Sequence, residues 1–511
     1  MPQTAPRPIR STPAAFVVSL LTLFCLLVHG YHPFAEDGGL YVAGIRKLLD
    51  PSLYPAWTQF VTEHLRFSLF APLVTGLVRA THLPLAWMLL LLYLASLWAT
   101  LAAGWMVIAR VTGSRAARCG AVSLLACWLT IPIAGTSLML MDPYVTARSF
   151  STPLALAAIA WAFDLLTPGT NRRRSALLCL VALLAAALVH PLMAGYAVAA
   201  VVVLLTTGSA NERVRRHGPW LLAVLALLLA NFVEGRAPTE SANYVWIVMT
   251  RYYWFPFRWE WYEQIGLIAP LLVLLALMRG QTGTLWQTLI RATIVLGLIA
   301  LAVALCFARA HMHTHLVARL QPLRCFQFVY EIMALTLGAW LGEAVLGHHR
   351  WRWAVLFAGF AGLMLFVERS TFPASAHLEL PFSKEAKFPV NPWVRAFLWA
   401  RDHTPKNALF ALDAHYITRD GEDAQCFRAI AERSALPDYS KDGGEASITP
   451  SLTEAWVTGQ HAQTGLDAAA DVDRLGRLKP LAVTWVVLKA PSVTSWDCPY
   501  RNEAVKVCRL P

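Results

Sequence analysis

The sequence is poor in charge. Only 14% of its 511 residues are Asp, Glu, Lys or Arg, against about 25% in an average soluble domain. Lysine is scarcer still over most of the length: of eight lysines, only Lys47 precedes Lys384. The nine cysteines form no C-x-x-C pair, which argues against a thiolate metal site. Six of them lie in or near apolar runs, where Cys behaves as a small hydrophobe. The chain has no G-x-x-x-x-G-K-[ST] loop, no G-x-S-x-G elbow, no H-E-x-x-H and no dinucleotide fingerprint. ATP-driven transport and the common hydrolase chemistries lose weight accordingly. The net charge is +12, but no basic stripe carries the interleaved aromatics that single-strand binders need, so no nucleic-acid partner is expected.

Apolar residues are abundant instead. They make up 57% of the chain, the mean hydropathy is +0.49, and apolar runs near 20 residues recur. This composition predicts a polytopic α-helical membrane protein. The expected spans are 13–30, 84–109, 117–135, 151–167, 174–190, 191–208, 218–234, 264–279, 288–308, 323–346 and 353–368, about eleven in all. Basic residues cluster between them at Arg110/Arg115/Arg118, Arg172/Arg173/Arg174, Arg213/Arg215/Arg216, Arg279 and Arg350/Arg352. With Arg7 and Arg10 inside, every one of these linkers falls on the cytoplasmic side. The expectation is a multi-pass protein of the cytoplasmic membrane, N-terminus inside and C-terminus outside, in the periplasm. No clear A-x-A site follows residues 13–30, so they are read as an uncleaved span. Residues 64–82, bracketed by Arg66 and Arg79, are too short to cross. They are expected to be an amphipathic helix on the outer surface.

The composition changes after Glu368. Residues 369–511 hold 17 of the 31 acidic residues and seven of the eight lysines. The expected division is a transmembrane domain over 1–368, with outer loop 31–83, and a soluble α/β domain over 369–511. Residues 369–390 read as a linker. Asn391 and Pro392 fit a helix start. "ALFAL" (408–412), "AVTWVVL" (482–488) and "VKVCRL" (505–510) read as strands, and "CFRAIAERSAL" as a helix. Cys498 and Cys508 are close enough to pair in an oxidising compartment, with Cys426 as the alternative partner.

Several polar groups fall on the outer loops. Glu36 and Asp37 stand side by side in "AEDGG", either as a solvated turn or as a metal or general-base site. Asp142, with Arg148 six residues on, lies in the second outer loop, where an Asp-Pro turn is the alternative. His190 precedes Pro191 at an outer turn. His311, His313 and His315 alternate, and in an extended segment they share a face that suits a metal; a flexible polar loop is the plainer reading. Arg319 and Arg324 suit phosphate oxygens or ordinary snorkelling. Glu331 sits deeper, as an intramembrane functional acid or one buried against an Arg. The loop "RYYWFPFRWEWYEQ" is more than half aromatic, an interfacial belt or a wall for a sugar or lipid.

Taken together, the multi-span bundle, Glu36/Asp37 in the first outer loop, the surface stretch 64–82, Asp142 in the second outer loop and the outer domain 369–511 resemble the GT-C class of membrane glycosyltransferases. "TARSFSTP", "WEWYEQIGLIAP" and "FRAIAERS" also resemble phrases in uncharacterised bacterial multi-span proteins. The GT-C resemblance implies transfer of a sugar from a polyprenyl-phosphate donor to an acceptor at the outer face. Glu36, Asp37 and Asp142 would be the catalytic acids and Arg148, Arg319 and Arg324 the lipid-phosphate ligands. A divalent metal ion is then an admissible cofactor. Repulsion between Glu36 and Asp37 is expected to raise one of the two pKa values. The competing class is a transporter, flippase or envelope assembly scaffold. Against transport, no matched pair of Gly/Pro-interrupted spans is visible.

Overall fold

A computed structural model describes residues 14–279, 284–384, 387–418, 423 and 425–511. Arg7 and Arg10, on which the expected orientation leans, lie outside the described residues. Among those described, seven helices are long and apolar enough to cross a membrane. They are Leu85–Val111, Arg148–Leu166, Glu212–Arg236, Trp261–Met278, Leu285–Phe307, the stretch Leu316–Leu346 and Arg350–Thr371. Shorter apolar helices occupy Ala14–His29 and Pro191–Thr207. Arg115–Cys127 and Arg172–Val189 are also helical. Every stretch expected to span is thus helical over most of its length, although seven meet the criteria of length and composition. Many outward side chains, such as Leu180, Leu184, Trp220, Leu221, Val355 and Phe366, are exposed and apolar. A helix can present such a face to hydrocarbon because its backbone bonds are satisfied internally. The chain is a membrane protein.

Helix Phe326–Trp340 is the central member, buried along almost its whole length. It packs on Arg115–Cys127 at backbone distance. A Cβ on Gly338 would lie 2.5 Å from the Gly120 carbonyl oxygen, and one on Gly342 2.3 Å from that of Ala116. Small residues at such a crossing let two helices touch. The stretch 64–82 becomes a 3-10 turn, Glu63–Phe67, and a 12-residue helix, Phe70–Thr81. That helix buries Phe70, Ala71 and Val74 while exposing Leu73 and Leu77. Twelve residues at 1.5 Å each fall well short of a hydrocarbon core of about 30 Å.

The C-terminal domain carries a five-stranded sheet in the order β2-β1-β3-β5-β4. Its strands are β1 (Leu409–Ala411), β2 (Ser434–Ala435), β3 (Trp485–Lys489), β4 (Tyr500–Arg501) and β5 (Val505–Arg509). β1 pairs in parallel with β2 and β3, and β5 pairs antiparallel with β3 and β4. Asn391 caps Pro392–His403 by accepting from the Trp393 and Val394 amides at 2.9 and 3.3 Å. Cys498 and Cys508 form a disulfide. "CFRAIAERSAL" departs from expectation: its helix is only Phe427–Ala431. Glu432 ends it in the left-handed region (φ 53°), and Ser434–Ala435 then leave as a strand. Helices Lys441–Ile448, Thr453–Gln463 and Asp471–Leu478 complete the domain.

The stretch 369–390 is no free tether. The last apolar helix runs on to Thr371, and Tyr31 pairs with Leu378 in a parallel bridge. His32 sits between Glu368 at 2.6 Å and Glu379 at 2.9 Å. Burial works against the charged imidazole, but the two glutamates win and push it up to about 9. The domain is therefore fixed to the first loop at its root.

Candidate active site

The first-loop acids begin a helix, Glu36–Leu49, rather than a turn. Negative charge is favoured there by the helix dipole. Glu36 has φ 51°, a conformation uncommon for a residue with a Cβ. The two glycines that follow explain how other segments reach the acids. A Cβ on Gly38 would lie 3.0 Å from the Tyr144 side chain, and one on Gly39 would overlap Cys426 at 2.1 Å. Gly38 admits the second interhelical loop and Gly39 admits the C-terminal domain.

Three carboxylates and three cations then gather at one end of the bundle. Asp142, buried, is ion-paired with Arg148, which also donates to the Met139 carbonyl at 2.5 Å. Lys441, from the C-terminal domain, pairs with Glu36 and lies 3.2 Å from Asp37 Oδ1. The charges of Arg324, Arg148 and Lys441 act on Asp37, and that of Asp37 acts on Asp142. Asp37 is 54% exposed at its side chain, yet cations from three other segments act on it, so it faces a charged recess open to solvent on one side.

The acids are pushed apart in acidity. Lys441 above all, then Arg324 and Arg148, hold the Asp37 carboxyl below its ordinary range against the effect of burial. Burial raises Asp142; the Asp37 charge adds to this, and Arg148 opposes it. The expected repulsion between Glu36 and Asp37 does not set these values, because a lysine ammonium lies between them. The opposed pair is Asp37 and Asp142, as expected where one of two like charges is desolvated.

Arg324 is the uncommitted cation. Its Nε is buried without a hydrogen-bond partner among the described residues, and its guanidinium lies 6.0 Å from the Tyr253 ring centre. The aromatic loop thus reaches the site through Tyr253. Arg319 points elsewhere, toward the Tyr244 hydroxyl at 3.4 Å. His190 caps Pro191–Thr207 through the Met193 amide at 3.4 Å.

The histidine triplet does not share a face. His315 is buried on Glu240 at 2.6 Å, whereas His311 and His313 are exposed. The segment is a bend leading into a short helix, Leu316–Arg319, which breaks the alternation an extended strand would give. Among the described residues no group of three or more His, Cys, Asp or Glu is placed to hold a metal ion. Among the described residues Glu331 forms no ion pair with an Arg: it accepts from Gln327 Nε2 at 3.0 Å, and its Oε2 has no hydrogen-bond partner.

Sequence reasoning missed Lys441, Tyr144 and the support beneath Lys441. Lysine is scarce, but nothing local in "YSKDGGEA" marks Lys441 as a partner of the first loop. "FRAIAERS" did draw notice; its Arg428 holds Asp442 by two bonds of 2.7 and 2.8 Å.

Fold and site together define a multi-span helical membrane protein whose small mixed-sheet domain closes over a charged recess at one end of the bundle. No family model and no curated protein matches the chain. Among solved structures it is similar to the Archaeoglobus fulgidus oligosaccharyltransferase in the apo form, with TM-score 0.48 and 11% identity over 94% of this chain and 70% of that one. The same enzyme tethered to an acceptor peptide gives TM-score 0.48 and 11% identity over 93% and 69%. The A. fulgidus AglB complex with an inhibitory peptide and a dolichol-phosphate gives TM-score 0.44 and 12% identity over 93% and 69%.

Proposed function

We propose that this chain is a membrane glycosyltransferase that moves a sugar from a polyprenyl-phosphate donor to an acceptor at the outer face of the cytoplasmic membrane. The observation that carries this reading is the meeting of an ionised, accessible Asp37 with an Arg324 whose Nε has no hydrogen-bond partner among the described residues. Glycosyl transfer needs both. The acceptor oxygen forms a bond to the anomeric carbon while the bond from that carbon to the phosphate oxygen breaks. The acceptor proton passes to Asp37, whose carboxylate is ready because its neighbours keep it ionised. The departing phosphate takes the bonding pair, and its growing negative charge is met by Arg324, whose planar fork suits phosphate oxygens. Arg148 remains with Asp142 and fixes the second loop against Gly38. The aromatic loop, through Tyr253, walls the recess.

Purified protein incubated with radiolabelled polyprenyl-phosphate sugars is expected to release or transfer label. Absence of turnover with every donor tried would set the reading aside in favour of a transporter or scaffold. The orientation has its own test. By the distribution of basic residues, the arginine-rich linkers are the cytoplasmic ones and the C-terminal domain is outside. A cysteine introduced at the exposed Val493 should be labelled from outside the cell and one at Asn171 should not. Labelling of Asn171 from outside would invert the topology.

A further inference from the structure

Each carboxylate at this end of the bundle carries a cation supplied by the protein: Asp142 has Arg148, and Glu36 and Asp37 share Lys441. We propose that Lys441 is the site's built-in cation, lying between Glu36 and Asp37 where a divalent metal ion would otherwise bridge them. The site is then metal-independent and complete only when the C-terminal domain is docked. The activity arm of the test rests on the transfer reading above; the binding arm does not.

Lys441 is not a surface lysine that happens to lie near acids. Its side chain is 18% exposed, and the carboxylates of Asp37 and Glu36 raise its pKa in spite of burial. Its backbone is pinned on both sides. The Lys441 amide donates to Asp438 Oδ1 at 2.6 Å, and the Asp438 amide donates to Asp442 Oδ2 at 2.7 Å. Asp442 is held in turn by Arg428. On the preceding residues, Arg251 donates to the carbonyls of Tyr439 and Ser440 at 2.7 and 2.6 Å. Further along the same helix, Glu445 accepts from the His64 amide at 2.9 Å, and the Ser447 carbonyl accepts from the Tyr244 hydroxyl at 2.6 Å. The ammonium is therefore delivered to the acids by a rigid mount that grips the first loop and the aromatic loop.

The donor set does not suit a metal as well. A hard divalent cation seeks six or more oxygens. Here Asp142 is engaged by Arg148, and an ion between Glu36 and Asp37 would sit against the Lys441 ammonium. An ammonium offers three donors on a compact charge, enough to bridge two carboxylates. It also balances the recess. Glu36, Asp37 and Asp142 are matched by Lys441, Arg148 and Arg324, so an anionic phosphate donor meets no net repulsion.

The test is Mn2+ titration of the full-length protein in detergent, read by electron paramagnetic resonance. Wild type and Asp37→Asn are expected to bind Mn2+ equally poorly. Lys441→Gln is expected to gain a site about tenfold tighter or more, and Lys441→Gln with Asp37→Asn to lose it again. Wild-type Mn2+ binding that Asp37→Asn abolishes would overturn the proposal, as would a folded Lys441→Gln protein with no added affinity. The wild-type arm stands even if Lys441→Gln does not fold. Transfer activity separates the two readings. Turnover that survives EDTA supports Lys441 as the cation, whereas turnover lost to EDTA and restored by Mn2+ ends this inference and leaves the transfer reading standing.

Discussion

Replacing Asp37 with Asn should lower the transfer rate by about 10²–10⁴-fold, the usual cost of losing a general base, and leave the fold intact. Asp37 is the carboxylate whose charge acts on Asp142 and on which Arg324 and Arg148 act in turn. Its side chain is half exposed, Lys441 keeps Glu36 as a partner when Asp37 loses its charge, and the helix dipole is worth about 0.3–1 kcal/mol, so the melting temperature should move little. Glu36→Gln should cost far less, because among the site's charges Glu36 answers chiefly to Lys441. Asp142→Asn removes the Arg148 partner and disorders the second loop, so it should lower rate and stability together. If Asp37 and Asp142 act as one unit, the double variant should be scarcely slower than the slower single one. The pH profile gives a further check. The Asp37 pKa lies below its ordinary value of about 3.9, so the base is ionised at neutral pH and its rate should hold as pH falls through about 5. In Lys441→Gln the largest cause of that lowering is gone, and the acid limb should move to higher pH. Full activity of Asp37→Asn would defeat the assignment.

Asp442→Ala should be among the most destabilising single changes in the C-terminal domain, by about 3–5 kcal/mol. The side chains of Arg428 and Asp442 are 7% and 1% exposed, and Arg428 also donates to the carbonyls of Ala435 and Leu436. Removing the carboxylate leaves a guanidinium buried without its countercharge, which costs more than the pair contributes. Asp438 can replace the countercharge only in part, because burial, the largest cause that raises its pKa, persists when Asp442 is removed. Chemical denaturation followed by the fluorescence of buried Trp456 reads the loss. A double variant, Arg428→Met with Asp442→Leu, should recover much of it, since a buried ion pair replaced as a whole is often neutral. A loss below about 1 kcal/mol in Asp442→Ala would mean that solvent reaches the pair. The variant should also transfer poorly, because Lys441 hangs from Asp438 and Asp442.

Hydropathy and charge placed the apolar helices, kept 64–82 out of the spans and marked the change at Glu368, because each of these signals is contained in a window of neighbouring residues. Asn391 and Pro392 fixed a helix start for the same reason: a cap is a contact across three residues. The same local view offered a turn for "AEDGG", where a helix begins, and it could not show that the missing Cβ atoms of Gly38 and Gly39 make room for Tyr144 and Cys426. It ran "CFRAIAERSAL" on as one helix, because the pull of β1 on Ser434 and Ala435 is not in that window. It grouped His311, His313 and His315 by alternation, whereas His315 is taken by Glu240 from another loop. Above all, it paired Glu36 with Asp37 because they are adjacent. The pairs that matter electrostatically, Asp37 with Asp142 and both first-loop acids with Lys441, join segments far apart in the chain. Their spacing is set by the packing of helices and by the docking of a domain, and Coulomb interactions follow distance in space.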